Sequence, residues 1–238
     1  MHLNQWKGEV RAPQTEVSHF GARLDGIVGR LLFSVRARAA SRPATSLFAY
    51  DCGMDVVELG ERVLLAWPEA EDEAEFLALL RSSGRFLQPW EPLPPPGLRV
   101  DSPERFRRMS ELNATGEHCK LLVRRREDDR IIGSMSLNNI VRGVFLNAHL
   151  GYWVGEEFAR KGYMGEALRL ALRHGFRTLG LHRLEANLML HNEASRALVR
   201  RAGFRLEGVG VRFLRIAGEW RDHERWALLY DEWDGILK

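Results

Sequence analysis

The chain has 238 residues, 45% of them hydrophobic and 28% charged, which is ordinary for a folded globular domain with an extension and excludes disorder throughout. Two cysteines, Cys52 and Cys119, exclude a disulfide framework, and eight histidines without one i,i+4 pair leave no metal site to expect. No apolar run reaches 18 residues and no secretory signal opens the chain, so a cytoplasmic protein that does not enter a membrane is expected. The net charge of +3 comes from Lys7, Arg11, Arg23, Arg30, Arg36, Arg38 and Arg42, set against Glu9, Glu16, Asp25 and Asp51. The remaining residues balance, which argues against nucleic-acid binding by the main body.

Residues 1–53 form a basic N-terminal extension without sustained periodicity. Two readings stand: a flexible, disordered arm, or a segment ahead of a true start at Met54. The second is favoured, because a new pattern begins directly after Met54. Residues 54–238 then make one domain.

Residues 56–67, broken at Gly60-Glu61, read as a strand pair or one bent strand. Pro68-Glu69 opens a helix with Phe76, Leu77, Leu79 and Leu80 on its apolar face. The segment 86–97 is too proline-rich for helix or central strand. Asp101 or Ser102 caps the next helix, with Pro103 at its first position. Strands follow at 120–126, 130–137 and 145–154, the first two joined as a hairpin. A long helix spans 163–179, with Met164, Leu168, Ala171, Leu172 and Phe176 along one stripe. A strand at 182–190 leads to a helix capped by Asn192 and stopped by Gly203. Strands at 204–216 and 219–229 close the pattern. This alternation specifies a mixed α/β sheet.

The segment from Gly151 to Ala167 carries the first chemical signal: strand, basic glycine-containing turn, helix start. Consecutive amides at such a turn point the same way, and the helix dipole favours an anion there. Gly162 admits close approach, and Arg160 and Lys161 add charge. Neither the P-loop nor the dinucleotide fingerprint is present. On these residues alone, a diphosphate seat and an ordinary helix start remain equally open.

The second signal is Leu184-Glu185-Ala186, then Asn192-Glu193-Ala194-Ser195, then Ala202-Gly203-Phe204. With the turn, these stretches resemble the GNAT superfamily of acyl-CoA-dependent N-acetyltransferases, most closely the RimJ/RimL type that acetylates protein N-termini. Residues 86–92, 141–145 and 218–223 add to the likeness, which spans 55–233.

The resemblance implies a GNAT fold: a central, mostly antiparallel sheet with one splayed parallel strand pair and flanking helices. It implies acetyl-CoA as co-substrate, its diphosphate on the amides of Arg160, Lys161, Gly162, Met164 and Gly165. It implies an oxyanion donor at Trp153 or Val154, and a contact from Asn192 to the pantetheine arm. Glu185 stands where some members carry a base, and Ser195 where RimJ/RimL-like members carry a donor to the thiolate. Phe86, Trp90 and Arg142 are implied as acceptor-groove residues. The chain departs from the family pattern at Ala159, where Gln or Arg is usual, and at Val199, where some relatives place an acidic tyrosine.

The acceptor implied is the N-terminal α-amine of a protein, a ribosomal protein among the candidates, with ribosome association and a monomer or homodimer both open. Two alternatives remain at this stage. One keeps the chemistry on a small-molecule amine or amino sugar; the other is a non-catalytic ribosome- or RNA-associated module with a degenerate acetyl-CoA site.

Overall fold

The computed structural model describes residues 55–94 and 96–236. The expectations for 1–53, together with the start at Met54, lie outside the described residues. Strands β1 (Val56–Leu59) and β2 (Val63–Ala66) form the expected pair, broken at Gly60-Glu61. Helix α1 (Glu73–Ser82) buries Phe76, Leu77, Leu79 and Leu80, the four residues its period picks out. The proline-rich stretch is not wholly loop: α2 (Gly84–Leu87) and a 3-10 turn at Gln88–Trp90 occupy its start. A proline early in a turn loses no hydrogen bond, so Pro89 is tolerated there. Helix α3 (Pro103–Ala114) begins after Ser102 with Pro103 at its first position.

Strands β3 (Cys119–Arg125), β4 (Ile131–Val141) and β5 (Asn147–Val154) follow in antiparallel order. Helix α4 (Tyr163–Arg173) continues into a π-type turn at His174–Thr178, so the long helix is real but not uniform. Then come β6 (Arg183–Met189), α5 (Glu193–Arg201), β7 (Arg205–Ile216), β8 (Glu219–Leu229) and a C-terminal helix, α6 (Tyr230–Ile236).

The eight strands form one sheet in the order β1-β2-β3-β4-β5-β6-β8-β7. All neighbours are antiparallel except β5 and β6, which run parallel. Side chains alternate between faces. Trp153 projects to the face covered by α1, where its ring meets Phe76 edge-on at 5.6 Å. Leu137 and Leu184 project to the other face and lie within reach of Gly175, at the end of α4. Arg196 of α5 reaches Glu224 on that same face. The sheet is therefore sandwiched, with α1 on one side and α4 and α5 on the other. No helix among the described residues is long and apolar enough to cross a membrane.

Candidate active site

The parallel pair is where the sheet opens. β5 and β6 are in register from Asn147↔Arg183 to Leu150↔Ala186 and no further. Beyond that point β5 stays with β4 up to Val154, and β6 stays with β8 up to Met189. A wedge therefore lies between Gly151–Val154 and Asn187–Met189. Two glycines let β5 lean toward β4: a Cβ at Gly133 would overlap the carbonyl oxygen of Trp153, and one at Gly151 would crowd Asn138 and Ser136.

Register tells which backbone groups face the wedge. The Gly155 amide donates to the Ile132 carbonyl at 2.9 Å. Strand alternation then turns the Trp153 amide toward β4, and the amides and carbonyls of Tyr152 and Val154 into the gap. On β6, the Tyr230 amide donates to the His182 carbonyl at 2.9 Å, so the gap-facing residues are Asn187 and Met189. The Met189 carbonyl already accepts from Asn192, at 2.9 Å. The Asn187 amide closes the last rung of the ladder, to the Leu150 carbonyl. The Asn187 carbonyl, the Met189 amide and the groups of Tyr152 and Val154 are open edge groups that an amide-bearing chain can satisfy. Of the two residues expected to offer an oxyanion donor, Val154 presents its amide to the gap and Trp153 does not.

At the mouth of the wedge, the chain makes a 3-10 turn at Glu156–Phe158 and enters α4. Arg160 has φ +60° and Gly162 φ +85°. Among the described residues, no acceptor binds the main-chain amides of Arg160, Lys161, Gly162, Tyr163 or Met164. The Gly165 amide, expected to be free, donates to the Gly162 carbonyl at 3.2 Å, and the Tyr163 amide takes its place in the open set. Arg160, Lys161 and Gly162 are all exposed. Five free amides at a helix start fit a diphosphate.

On the far side of the wedge, the Asn192 side chain caps α5, accepting from the Ser195 amide at 3.1 Å. The Asn192 Nδ2 group remains available to a ligand carbonyl. Ser195 is half-buried and directed toward β5, where the Tyr152 hydroxyl lies. Val199 is fully buried in the core, so α5 offers no phenol.

Glu185 sits in the zipped half of the pair, opposite His149. It is 3% exposed. Its carboxylate accepts from Arg183 at 2.8 Å, Asn147 at 3.0 Å and Arg225 at 3.4 Å. Burial pushes its pKa up, but the hydrogen bonds and charges of Arg183 and Arg225 outweigh this and hold it below the usual carboxylate range. It is thus a fixed anion and a weak proton acceptor. His149 beside it is kept neutral by burial, which outweighs the opposing pull of Glu185.

Trp90 is half-buried and packs against His191, just after β6, with ring centroids 5.2 Å apart. The Ala217 amide, in the β7–β8 turn, donates to the Glu91 carbonyl at 3.0 Å. The Phe86-to-Leu93 segment and the hairpin tip therefore meet at the open end of the wedge. Phe86 is exposed on α2 nearby in sequence. Arg142 is not brought to this wall. It follows β4 at the closed end of the pair, beside a cavity of about 570 Å³ lined by Thr115, Glu117 and Asn139. The length of β5, roughly 23 Å, separates it from the open end.

The sequence profile of the acetyltransferase (GNAT) domain matches residues 62–205. The uS5-alanine N-acetyltransferase of Escherichia coli is 32% identical over 194 residues, covering 79% of this chain and 98% of that protein. This chain belongs to the GNAT acetyltransferase family. Among solved structures, RimJ of Mycobacterium smegmatis, in complex with a CoA disulfide, is 27% identical with a TM-score of 0.67, covering 75% of this chain and 86% of that one. The ribosomal-protein-S5-alanine acetyltransferase of Vibrio fischeri is 28% identical, with a TM-score of 0.65 over 75% and 98%. The protein is thus an acetyl-CoA-dependent N-acetyltransferase of RimJ/RimL type, and the reading as a non-catalytic module is set aside.

Two residues beside the candidate site carry no signal in the sequence. Arg62, on β2's lead-in, donates to the Lys161 carbonyl at 3.2 Å and stacks its guanidinium over Tyr163, 4.3 Å from the ring centroid. Glu166, buried in the first turn of α4, accepts from the amide of Arg62 at 2.8 Å. Together they brace the turn before α4 against the β1–β2 hairpin, in a chain with Ala159 where the family pattern has Gln or Arg. Tyr152, a phenol near the turn that the sequence leaves at least as open to packing as to function, gains a partner when α5 is placed beside it. The Arg62 contacts span 104 and 99 positions and leave no local signal. A buried acid in a helix first turn is the nearest hint.

Proposed function

We propose that this GNAT acetyltransferase moves the acetyl group of acetyl-CoA to the N-terminal α-amine of a protein, with a ribosomal protein as the acceptor class. The observation that carries the reading is the wedge in the sheet, with unpaired backbone groups along both walls and free amides at its mouth. The E. coli relative, whose name assigns it the alanine of ribosomal protein uS5, supports the acceptor class.

The diphosphate rests on the amides of Arg160, Lys161, Gly162, Tyr163 and Met164. The pantetheine arm lies in the wedge, pairing with gap-facing groups of β5 and β6, with Asn192 Nδ2 as a further donor. The acceptor amine enters past Trp90 and Phe86 and attacks the thioester carbonyl directly. The carbonyl oxygen gains negative charge as the N–C bond forms, and the Val154 amide offers it a preorganised donor. The C–S bond then breaks with its electron pair on sulphur, beside the Ser195 hydroxyl. Water takes the proton, since Glu185 is buried in the closed half, ion-paired with Arg183 and Arg225, and a poor base. Arg142 has no part in this reading.

The test is thiol release from acetyl-CoA with a panel of short peptides differing in their first residue, run beside amino sugars and diamines. Peptides with free alanine termini should turn over and N-blocked versions should not. Preference for the small amines would overturn the acceptor assignment. Activity in the cytoplasm, on nascent or ribosome-bound chains, follows from that acceptor class.

A further inference from the structure

The hydroxyl of Tyr152 is buried and forms no hydrogen bond of regular geometry. That is an uncommon state for a phenol, because an unsatisfied buried hydroxyl costs stability. Among the described residues, Ser195 is the side chain near enough to act on it. The two arrive from opposite walls: Tyr152 from the open half of β5, Ser195 from the first turn of α5. The backbone of Tyr152 itself borders the wedge, while its side chain projects to the sheet face that carries α5.

We infer that Tyr152 is a positioning residue that aims the Ser195 hydroxyl at the sulphur of the acyl donor. The inference rests on the acetyl-CoA reading of the wedge. Its logic is proton counting. A serine hydroxyl has one proton and two lone pairs, and its rotor is otherwise free. When the Tyr152 proton occupies a lone pair on Ser195 Oγ, the serine proton is left to point outward, into the wedge. The phenol oxygen is shielded from solvent and half-buried Ser195 is not, so the serine touches the ligand and the tyrosine acts through it. Burial pushes the phenol up to about 12, so it keeps its proton at working pH and serves as donor only. During the reaction the N–C bond forms, the C–S bond breaks, and the electron pair departs on sulphur. Ser195 keeps its proton and stabilises the thiolate by hydrogen bonding, reinforced by the phenol behind it. The arrangement supplies, from the strand, the hydroxyl that Val199 denies to the helix.

The test uses free CoA bound to the full-length protein, with the thiol titrated by thiolate absorbance. Calorimetry first establishes CoA binding. In the unmodified protein the bound thiol should ionise below free CoA. Tyr152→Phe should raise that value by about one unit, a tenfold change in ionisation. Ser195→Ala should raise it at least as far, and the double variant no further than Ser195→Ala alone. With acetyl-CoA and a peptide acceptor, Tyr152→Phe should lower kcat several-fold and leave the KM for acetyl-CoA in place. Thermal unfolding of Tyr152→Phe should be unchanged or raised, because an unsatisfied hydroxyl is removed; a packing role alone would leave the thiol untouched. An unshifted thiol in Tyr152→Phe, or an effect that adds in full to that of Ser195→Ala, overturns the inference while the acetyl-CoA reading stands. Absence of CoA binding in the unmodified protein overturns both, at the calorimetric step.

Discussion

The two halves of the β5–β6 pair are built from the same two strands yet do opposite work. The closed half, 147–150 against 183–186, is laddered, and its polar core is an ion cluster: Glu185 between Arg183, Arg225 and Asn147. The open half, 151–154 against 187–189, keeps its outer ladders to β4 and β8 but leaves the central edges unpaired. A sheet tolerates unpaired edges when a ligand completes them, and the closed half sets the geometry that holds the edges apart. Stability should therefore be concentrated below the fork and ligand affinity above it.

Gly133→Val attacks the fork hardest, because its side chain meets the Trp153 carbonyl, which cannot rotate away. A loss of about 3 kcal/mol in unfolding free energy, with CoA binding abolished, is expected from thermal melts and calorimetry. Glu185→Ala should separate the halves: about 2 kcal/mol less stable, since Arg183 loses a buried partner, but with CoA affinity within twofold of the original. A large affinity loss there would erase the division of labour. Ser195→Ala should do the reverse, lowering kcat about tenfold, or about 1.4 kcal/mol, with stability and acetyl-CoA affinity retained. Gly162→Ala places a side chain at φ +85° and should cost about 1 kcal/mol while weakening CoA binding.

The smallest effect is acid dependence in the closed half. Glu207, hydrogen-bonded first by Arg183 and also by Arg205, is held down at about 2, from an ordinary 4.5. A carboxyl lowered in the folded state contributes stability above its unfolded value and loses it as pH falls through the folded one. Chemical unfolding between pH 4.5 and 2 should therefore steepen through Glu207, and Glu207→Gln should flatten that slope. An unchanged slope would remove Glu207 from the cluster's acid response.

Much of the fold was legible because it is written locally. The apolar period of α1, the Asn192 cap, the proline opening of α3 and the glycine-containing turn before α4 each depend on a few consecutive residues. The C-terminal helix at 230–236 and the short helical start of the proline-rich stretch carried no such period. Within the site, the Asn192 cap followed from spacing, and the resemblance pointed to four of the five open amides, with Tyr163 in place of Gly165; Arg142 did not reach Trp90, because shared motif membership says nothing about which end of a strand a residue occupies.

What the sequence by itself determined is therefore the inventory: the strand-turn-helix proposed to seat a diphosphate, the capped helix bearing Ser195, and the family to which both belong. Tertiary structure alone decided where β5 parts from β6, which amides face the gap, how Arg62 and Glu166 brace the turn, and that a buried phenol stands behind Ser195. The physical reason is separation along the chain. Helical and turn preferences are settled within four residues, whereas Glu166 meets Arg62 across 104 positions, and only the closing of the sheet brings them together.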